Sequence, residues 1–415
     1  MKKILTTIPF ALLTVIICLG QQPAKNEHVM TLLRADSLPI SCNVEILKEG
    51  GRQVWVIRNG DERIRVTEMD ERGDSVFFRM PVFESAFRLQ RNAAGPVSGI
   101  WIKATSRQDV VQPVAFRPGT VRYPADLGRA KYNVSGRWRV TFIRPDGSPL
   151  AAVAEFSQRG EKLTGTFLTP TGDYRYLEGV VTGDSLRLSC FDGSHAYFFG
   201  ARIGERNRIG QGVFASGLTY RETWTAVKDP SAKIDESLSG MSLKAGEETL
   251  AFRFRDLDGN LLTLSDNRFR GKVVVIQIMG SWCPNCMDET AFLSRYYDNN
   301  RGRGVEMLAL AFEYGTDTSR ARKNLARLRD RYTVAYPILN TGVSSSDTLR
   351  TEKTLPELTP IKAFPTTIFI GRDGRVKKIH GGFAGPATGV HHEAYKREFE
   401  KTISDLLRED GSSPR

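Results

Sequence analysis

Cys283 and Cys286 lie three residues apart where an apolar run meets a helical pattern. Lys272-Val273-Val274-Val275-Ile276-Gln277-Ile278-Met279 leads into Gly280-Ser281-Trp282-Cys283-Pro284-Asn285-Cys286. Such a run reads as a buried parallel strand. A thiol placed where that strand gives way to a helix meets the unpaired N–H groups of the first turn, and these, with the macrodipole, favour a thiolate. Pro284 suits the first helical position, whose N–H has no intrahelical partner. Cys286, deeper and within disulfide reach, would resolve a mixed disulfide. The spacing therefore predicts Cys283 as nucleophile, Cys286 as resolving thiol, and the pair as a redox-active disulfide. The same spacing is half of a zinc site, which needs a second Cys or His pair. Cys42 and Cys190 are isolated in a β-patterned region, so neither a metal nor a cofactor is expected.

Around the dithiol, strand and helix patterns alternate, as in an α/β layered sheet. A helix is expected from Pro284 to about Tyr297, a strand over Val305 to Phe312 and a helix over Thr318 to Tyr332. Ala335 to Leu339 reads as a strand, and Thr366 to Ile370 with Val376 to Ile379 as a hairpin. A last helix has Tyr395, Phe399, Ile403 and Leu407 on one face. The preceding chain is all β. Residues 29–129 contain a hairpin signature, Gln53 to Ile57 and Arg63 to Val66 around Asn59-Gly60. In residues 131–228, Trp138 to Phe142 alternates, and Gly160, Gly165, Gly172, Gly183 and Gly193 punctuate a meander or barrel. The two stretches echo each other at an offset of about 110, which duplication or one barrel built from two halves would explain. Residues 229–248 read as a linker and 249–410 as the α/β domain. The expected chain is thus multidomain, and the β region is expected to select partners while the last domain folds and does chemistry on its own.

Several matches together carry a resemblance. Trp282-Cys283-Pro284-Asn285-Cys286 between strand and helix looks like a thioredoxin-fold active site. Cys283 to Glu289 fits the C-x-x-C-x-x-E pattern of the TlpA/ResA-like thiol–disulfide oxidoreductases of the bacterial envelope, within the AhpC/TSA-redoxin superfamily. Ala363-Phe364-Pro365-Thr366-Thr367-Ile368-Phe369 is similar to the family's cis-proline strand, and Phe252 to Leu264 to its opening hairpin. The resemblance covers about 40% of the chain and none of the β region. It implies a cis Pro365 opposite the dithiol, a Phe364 backbone open to an extended substrate, a shielding Trp282, and a Glu289 that exchanges protons with the buried thiol. It also implies an enzyme that reduces protein disulfides. In an oxidising compartment that needs a membrane-embedded electron donor. One departure stands out: thioredoxins proper have a buried acid six residues before the first cysteine, and here that residue is Gln277.

Length and composition fit several globular domains: 415 residues, 40% hydrophobic and 26% charged. Five cysteines are too few for a disulfide scaffold. The net charge of +12 is spread over interleaved acids and bases, so no nucleic-acid partner is expected. Lys2 and Lys3 before an interrupted apolar run from Ile4 to Leu19 read as a signal peptide over residues 1–20, placing the chain in the periplasm or cell envelope. Cleavage after Gly20 and a lipid anchor on Cys18 are two readings of its end. Cys42 and Cys190 read equally as a pair or as small core residues. His391 and His392 lack a ligand cluster nearby. Two other functions compete. A peroxiredoxin-like peroxidase would want Pro and Thr where Ile276 and Gly280 stand. Alternatively, the β region is a binding module and the dithiol auxiliary.

Overall fold

The computed structural model describes residues 26–409 except 94, 107, 125 and 236–239. The leader, Cys18 and part of the linker therefore lie outside the described residues.

Residues 27–118 form one open nine-stranded antiparallel sheet. Its first four strands, Glu27–Leu32 to Glu62–Val66, and its last five, Met69–Arg72 to Val110–Pro118, are each a meander. The two meanders join where Glu27–Leu32 pairs with Val110–Pro118. The Asn59-Gly60 signal is a tight hairpin, with Asn59 opposite Glu62. The next stretch folds differently. Eight strands from Gly136–Ile143 to Tyr220–Lys228 run in a ring, because Gly136–Ile143 pairs with both Pro149–Arg159 and Tyr220–Lys228, and Pro149–Arg159 pairs with Lys162–Thr169. Closure removes the sheet edges. Alternation puts Trp138, Val140 and Phe142 inside this barrel. There Phe199 stacks on Phe167 at 4.5 Å and on Phe214 at 4.7 Å.

The barrel wall serves two cores. Phe199 points inward, while its neighbour Phe198, with Phe191 and Ala215, packs against Trp55, Phe78, Phe87 and Trp101 of the open sheet. Period-two alternation makes this possible: one strand buries both faces, one in the barrel and one under the sheet.

The last domain is a seven-stranded mixed sheet flanked by helices. Its strands are β1 (Phe254–Asp256), β2 (Leu261–Leu262), β3 (Val273–Met279), β4 (Val305–Ala311), β5 (Ile338–Asn340), β6 (Thr366–Ile370) and β7 (Val376–Gly381), in spatial order β2-β1-β5-β4-β3-β6-β7. Its helices are α1 (Pro284–Asn300), α2 (Thr318–Tyr332), the short α3 (Arg350–Thr354) and α4 (Val390–Arg408). The parallel strands β3 and β4 are buried at every residue, as a sheet covered on both faces requires. The linker packs at both ends: Ala232 against Val153 and Leu168, and Met241 into the core beside Ile276 and Ile278.

Phe199→Ala should open a cavity among stacked rings and cost about 3–5 kcal/mol of barrel stability. Urea unfolding followed by fluorescence checks this; a loss below about 1 kcal/mol would mean that the ring stack does not hold the barrel.

Candidate active site

The turn between β3 and α1 is fixed by hydrogen bonds at each step. Gly280 has no room for a side chain: a Cβ there would stand 2.2 Å from Trp282 Nε1. Ser281 donates from its backbone N (2.8 Å) and its hydroxyl (2.6 Å) to the buried carboxylate of Glu313. Trp282 Nε1 donates to the Phe312 carbonyl at 2.8 Å, and its ring stacks on Tyr314. Cys283 is then the N-cap of α1, and its Sγ accepts the Cys286 N–H at 3.2 Å. Pro284 opens the helix. Cys283 is 6% exposed and Cys286 fully buried. Burial, reinforced by the neighbouring Cys283 thiol, pushes the Cys286 thiol well above its ordinary range. Both thiols are free.

Across from the dithiol, Cys283 Sγ lies 3.5 Å from the Phe364 carbonyl, and the Phe364–Pro365 bond is cis. The Phe364 ring meets Trp282 edge-on at 5.4 Å. The structure thus brings Trp282, Cys283, Cys286, Phe364 and Pro365 to one place.

Glu289 lies behind them, fully buried. Its carboxylate accepts hydrogen bonds from Thr367 Oγ1 (2.6 Å), Gln277 Nε2 (2.9 Å) and the Tyr395 hydroxyl (2.9 Å). Burial pushes its pKa up to about 7, against the pull of these three donors. Gln277, where thioredoxins proper have an acid, also donates to the Cys286 carbonyl at 3.3 Å. The amide on β3 therefore links the acid on α1 to the backbone of the buried cysteine.

The β region, for which the sequence suggests partner selection, also makes hydrogen bonds at this turn. Ser194, in a barrel loop, donates to the Trp282 carbonyl at 2.8 Å. Asn285, between the two cysteines, donates to the Asp173 carbonyl at 3.2 Å. Arg175 donates to the Pro284 carbonyl at 3.2 Å and pairs with Asp288. Val82 and Phe83 of the open sheet pack into the apolar core that holds both cysteines. Glu84 beside them pairs with Arg320 at 2.9 Å and accepts from Asn324 at 3.0 Å. Sequence reading missed Asp173, Arg175, Ser194, Asp288 and Glu313, because their partners are distant in the chain. Only Gly172 and Gly193, read as turn punctuation, marked the two barrel loops.

The remaining candidates lie elsewhere. Cys42 belongs to the core under the open sheet and Cys190 to the barrel interior. His391 Nε2 is 2.9 Å from Glu155, and His392 Nδ1 is 2.8 Å from the Ala384 carbonyl. Among the described residues no three His, Cys, Asp or Glu side chains form a metal site.

Residues 244–390 match the Redoxin family. Over 140 residues the chain is 28% identical to the thiol-disulfide oxidoreductase ResA of Halalkalibacterium halodurans, covering 34% of this chain and 69% of that protein. ResA of Bacillus subtilis is 24% identical over 141 residues, with the same two shares. Among solved structures, a thiol-disulfide oxidoreductase from Bacteroides fragilis aligns at 19% identity and a TM-score of 0.28, covering 36% of this chain and 99% of that one. A thioredoxin family thiol:disulfide interchange protein from Chlorobium tepidum aligns at 16% and 0.30, covering 40% and 99%. The C-terminal part of this chain is a redoxin domain with a thioredoxin-like fold, similar to the ResA thiol-disulfide oxidoreductases.

Proposed function

We propose that the chain is an exported thiol–disulfide oxidoreductase that reduces protein disulfides through Cys283 and Cys286. One observation carries the reading: the Cys283 sulfur occupies the N-cap of α1 and takes the Cys286 N–H, with Cys286 sealed behind it. A thiolate there gains from the same N–H and from the helix dipole. Cys283 thiolate attacks a substrate disulfide, forming a mixed disulfide and releasing one substrate thiolate, which takes a proton from solvent. Cys286, its proton passing to Glu289, then attacks Cys283. The second substrate sulfur leaves as a thiolate and takes up the proton that Glu289 received, and a Cys283–Cys286 disulfide remains. Two electrons have moved to the substrate, and a membrane-embedded donor supplies two more, with two protons from solvent, to reopen the Cys283–Cys286 disulfide. Phe364 and Pro365 would line the groove for the extended substrate, and Trp282 would shield the dithiol. The export half of the proposal is supported by the Lys2-Lys3 and Ile4 to Leu19 pattern.

Cys286→Ser should accumulate mixed disulfides through Cys283, and Cys283→Ser should accumulate none. Non-reducing gels with mass spectrometry read both; equal trapping by the two variants would reverse the roles or remove them.

Glu289 adds a pH signature. Its pKa is raised in the fold, so between the ordinary carboxylate range and about 7 the folded state holds more protons than the unfolded one. Its contribution to stability is full at acid pH and is lost as pH rises through about 7. The shift from 4.5 to about 7 corresponds to a loss on the order of 3 kcal/mol. Glu289→Gln should therefore gain stability relative to the parent between pH 4 and pH 8. Denaturation midpoints that keep a constant difference over that range would contradict the assignment.

A further inference from the structure

The residues around Cys283 are held from outside their own domain. Trp282 precedes the nucleophile, and Pro284 and Asn285 separate it from Cys286. Each of the three has a hydrogen bond to the barrel: the Trp282 carbonyl to Ser194, the Pro284 carbonyl to Arg175, and the Asn285 amide to the Asp173 carbonyl. Gly172 permits the approach. A Cβ there would fall 2.2 Å from Asn285 Nδ2, so a side chain would displace Asn285. Asp173 further accepts the Gly385 N–H at 2.8 Å, which closes the loop onto the chain before α4.

Arg175 is the centre of this contact. It is buried, and its backbone takes a left-handed φ of +57°, a conformation rare outside glycine. Its Asp173 neighbour fixes that turn by accepting the Arg175 N–H at 2.6 Å. The guanidinium faces Asp288 on α1, Glu62 of the open sheet, and Asp192 in the Ser194 loop at 3.6 Å. His195 stands 3.4 Å from Asp192. One buried cation thus balances three acids from three different elements, next to the first turn of the helix that carries the dithiol. Asp288 responds to the same setting: burial pushes it up to about 7, against the pull of Arg175.

Resting on the oxidoreductase reading, we propose that Arg175 is a positioning residue for the dithiol, by which the barrel sets the redox poise of Cys283 and Cys286. The guanidinium bonds the carbonyl of the residue after Cys283 and offsets the acids grouped there. A positive charge so placed favours the thiolate, and hence the dithiol over the disulfide. Without it, Glu62 and Asp192 would disfavour negative charge on sulfur, and the disulfide would gain. The proposal differs from partner selection, because the effect needs no partner protein.

The test is equilibration of the full-length protein in glutathione buffers at pH 8, above the value of about 7 to which burial pushes Asp288. The dithiol fraction is read by mass after thiol blocking. Arg175→Met should move the exchange constant about tenfold toward the disulfide, equivalent to about 30 mV. Arg175→Lys, which keeps the charge, should stay within about threefold of the parent. Asp288→Asn, which removes an acid and keeps the cation, should move the constant about threefold the other way. A folded Arg175→Met with the parent's constant would overturn the proposal, as would Arg175→Met and Asp288→Asn shifting in the same direction. If Arg175→Met does not fold, Asp288→Asn decides: a shift toward the dithiol supports the role, and no shift or the opposite one removes it. A parent dithiol that never exchanges with glutathione would instead refute the oxidoreductase reading, and this inference with it.

Discussion

The open N–H groups at the start of α1 are the constraint on which the site depends. A helix begins with donors that have no intrahelical partner, and a buried beginning must find acceptors for them. Here sulfur is one acceptor: Cys283 Sγ takes the Cys286 N–H. Pro284 has no N–H to satisfy. Just before the helix, Glu313 takes the Ser281 N–H. The nucleophile is therefore also the cap, and any change that loosens the turn also alters the environment of the sulfur. Gly280 is required because Trp282 folds back over it to reach Phe312.

That turn is also where the three sheets meet. Glu62 comes from the open sheet, Asp192 and Arg175 from the barrel, and Asp288 from α1. A buried charge is tolerated only when its partners are in place, and losing one partner leaves another uncompensated. The network therefore couples the docking of the sheets to the dithiol helix. Apolar contact alone would allow the domains to slide; four charged groups at fixed positions set a register. Glu84 on Arg320 and Asn324, and Glu155 on His391, fix the same surface at two further points.

Local signals made the dithiol and its strand–helix frame legible. The cysteine spacing, the apolar run and the Asn59-Gly60 turn each act within a few residues, and each element lies where its pattern placed it. The barrel's alternation in Trp138, Val140 and Phe142 and its glycine spacing were legible as a meander or barrel; the choice between the two rests on the pairing of Gly136–Ile143 with Tyr220–Lys228, which leaves no local trace. Likewise nothing near Arg175 announces Pro284 or Asp288, whose contacts span 109 and 113 residues. The last helix shows a smaller limit. Steps of four from Tyr395 lead to Leu407, yet Leu406 is the buried residue. At 100° per residue, Leu406 returns to within about 20° of Tyr395, whereas Leu407 is about 120° away.

Asp288 and Glu289 show how one helix serves both kinds of partner. Neighbours in sequence, they point about 100° apart around α1. Glu289 turns into its own domain and meets only neutral donors, on β3, β6 and α4. Asp288 turns outward to the barrel and meets a guanidinium. Burial pushes both up to about 7, but only Asp288 is held back by a cation. The proton affinity of Glu289 is thus set inside the domain, where Gln277 joins it to the Cys286 backbone. That of Asp288 depends on the barrel remaining docked. A displacement of the barrel would strip Asp288 of its cation while leaving the Glu289 contacts intact. Proton exchange behind Cys286 and charge balance at the first turn can therefore vary independently, although adjacent residues of one helix carry them.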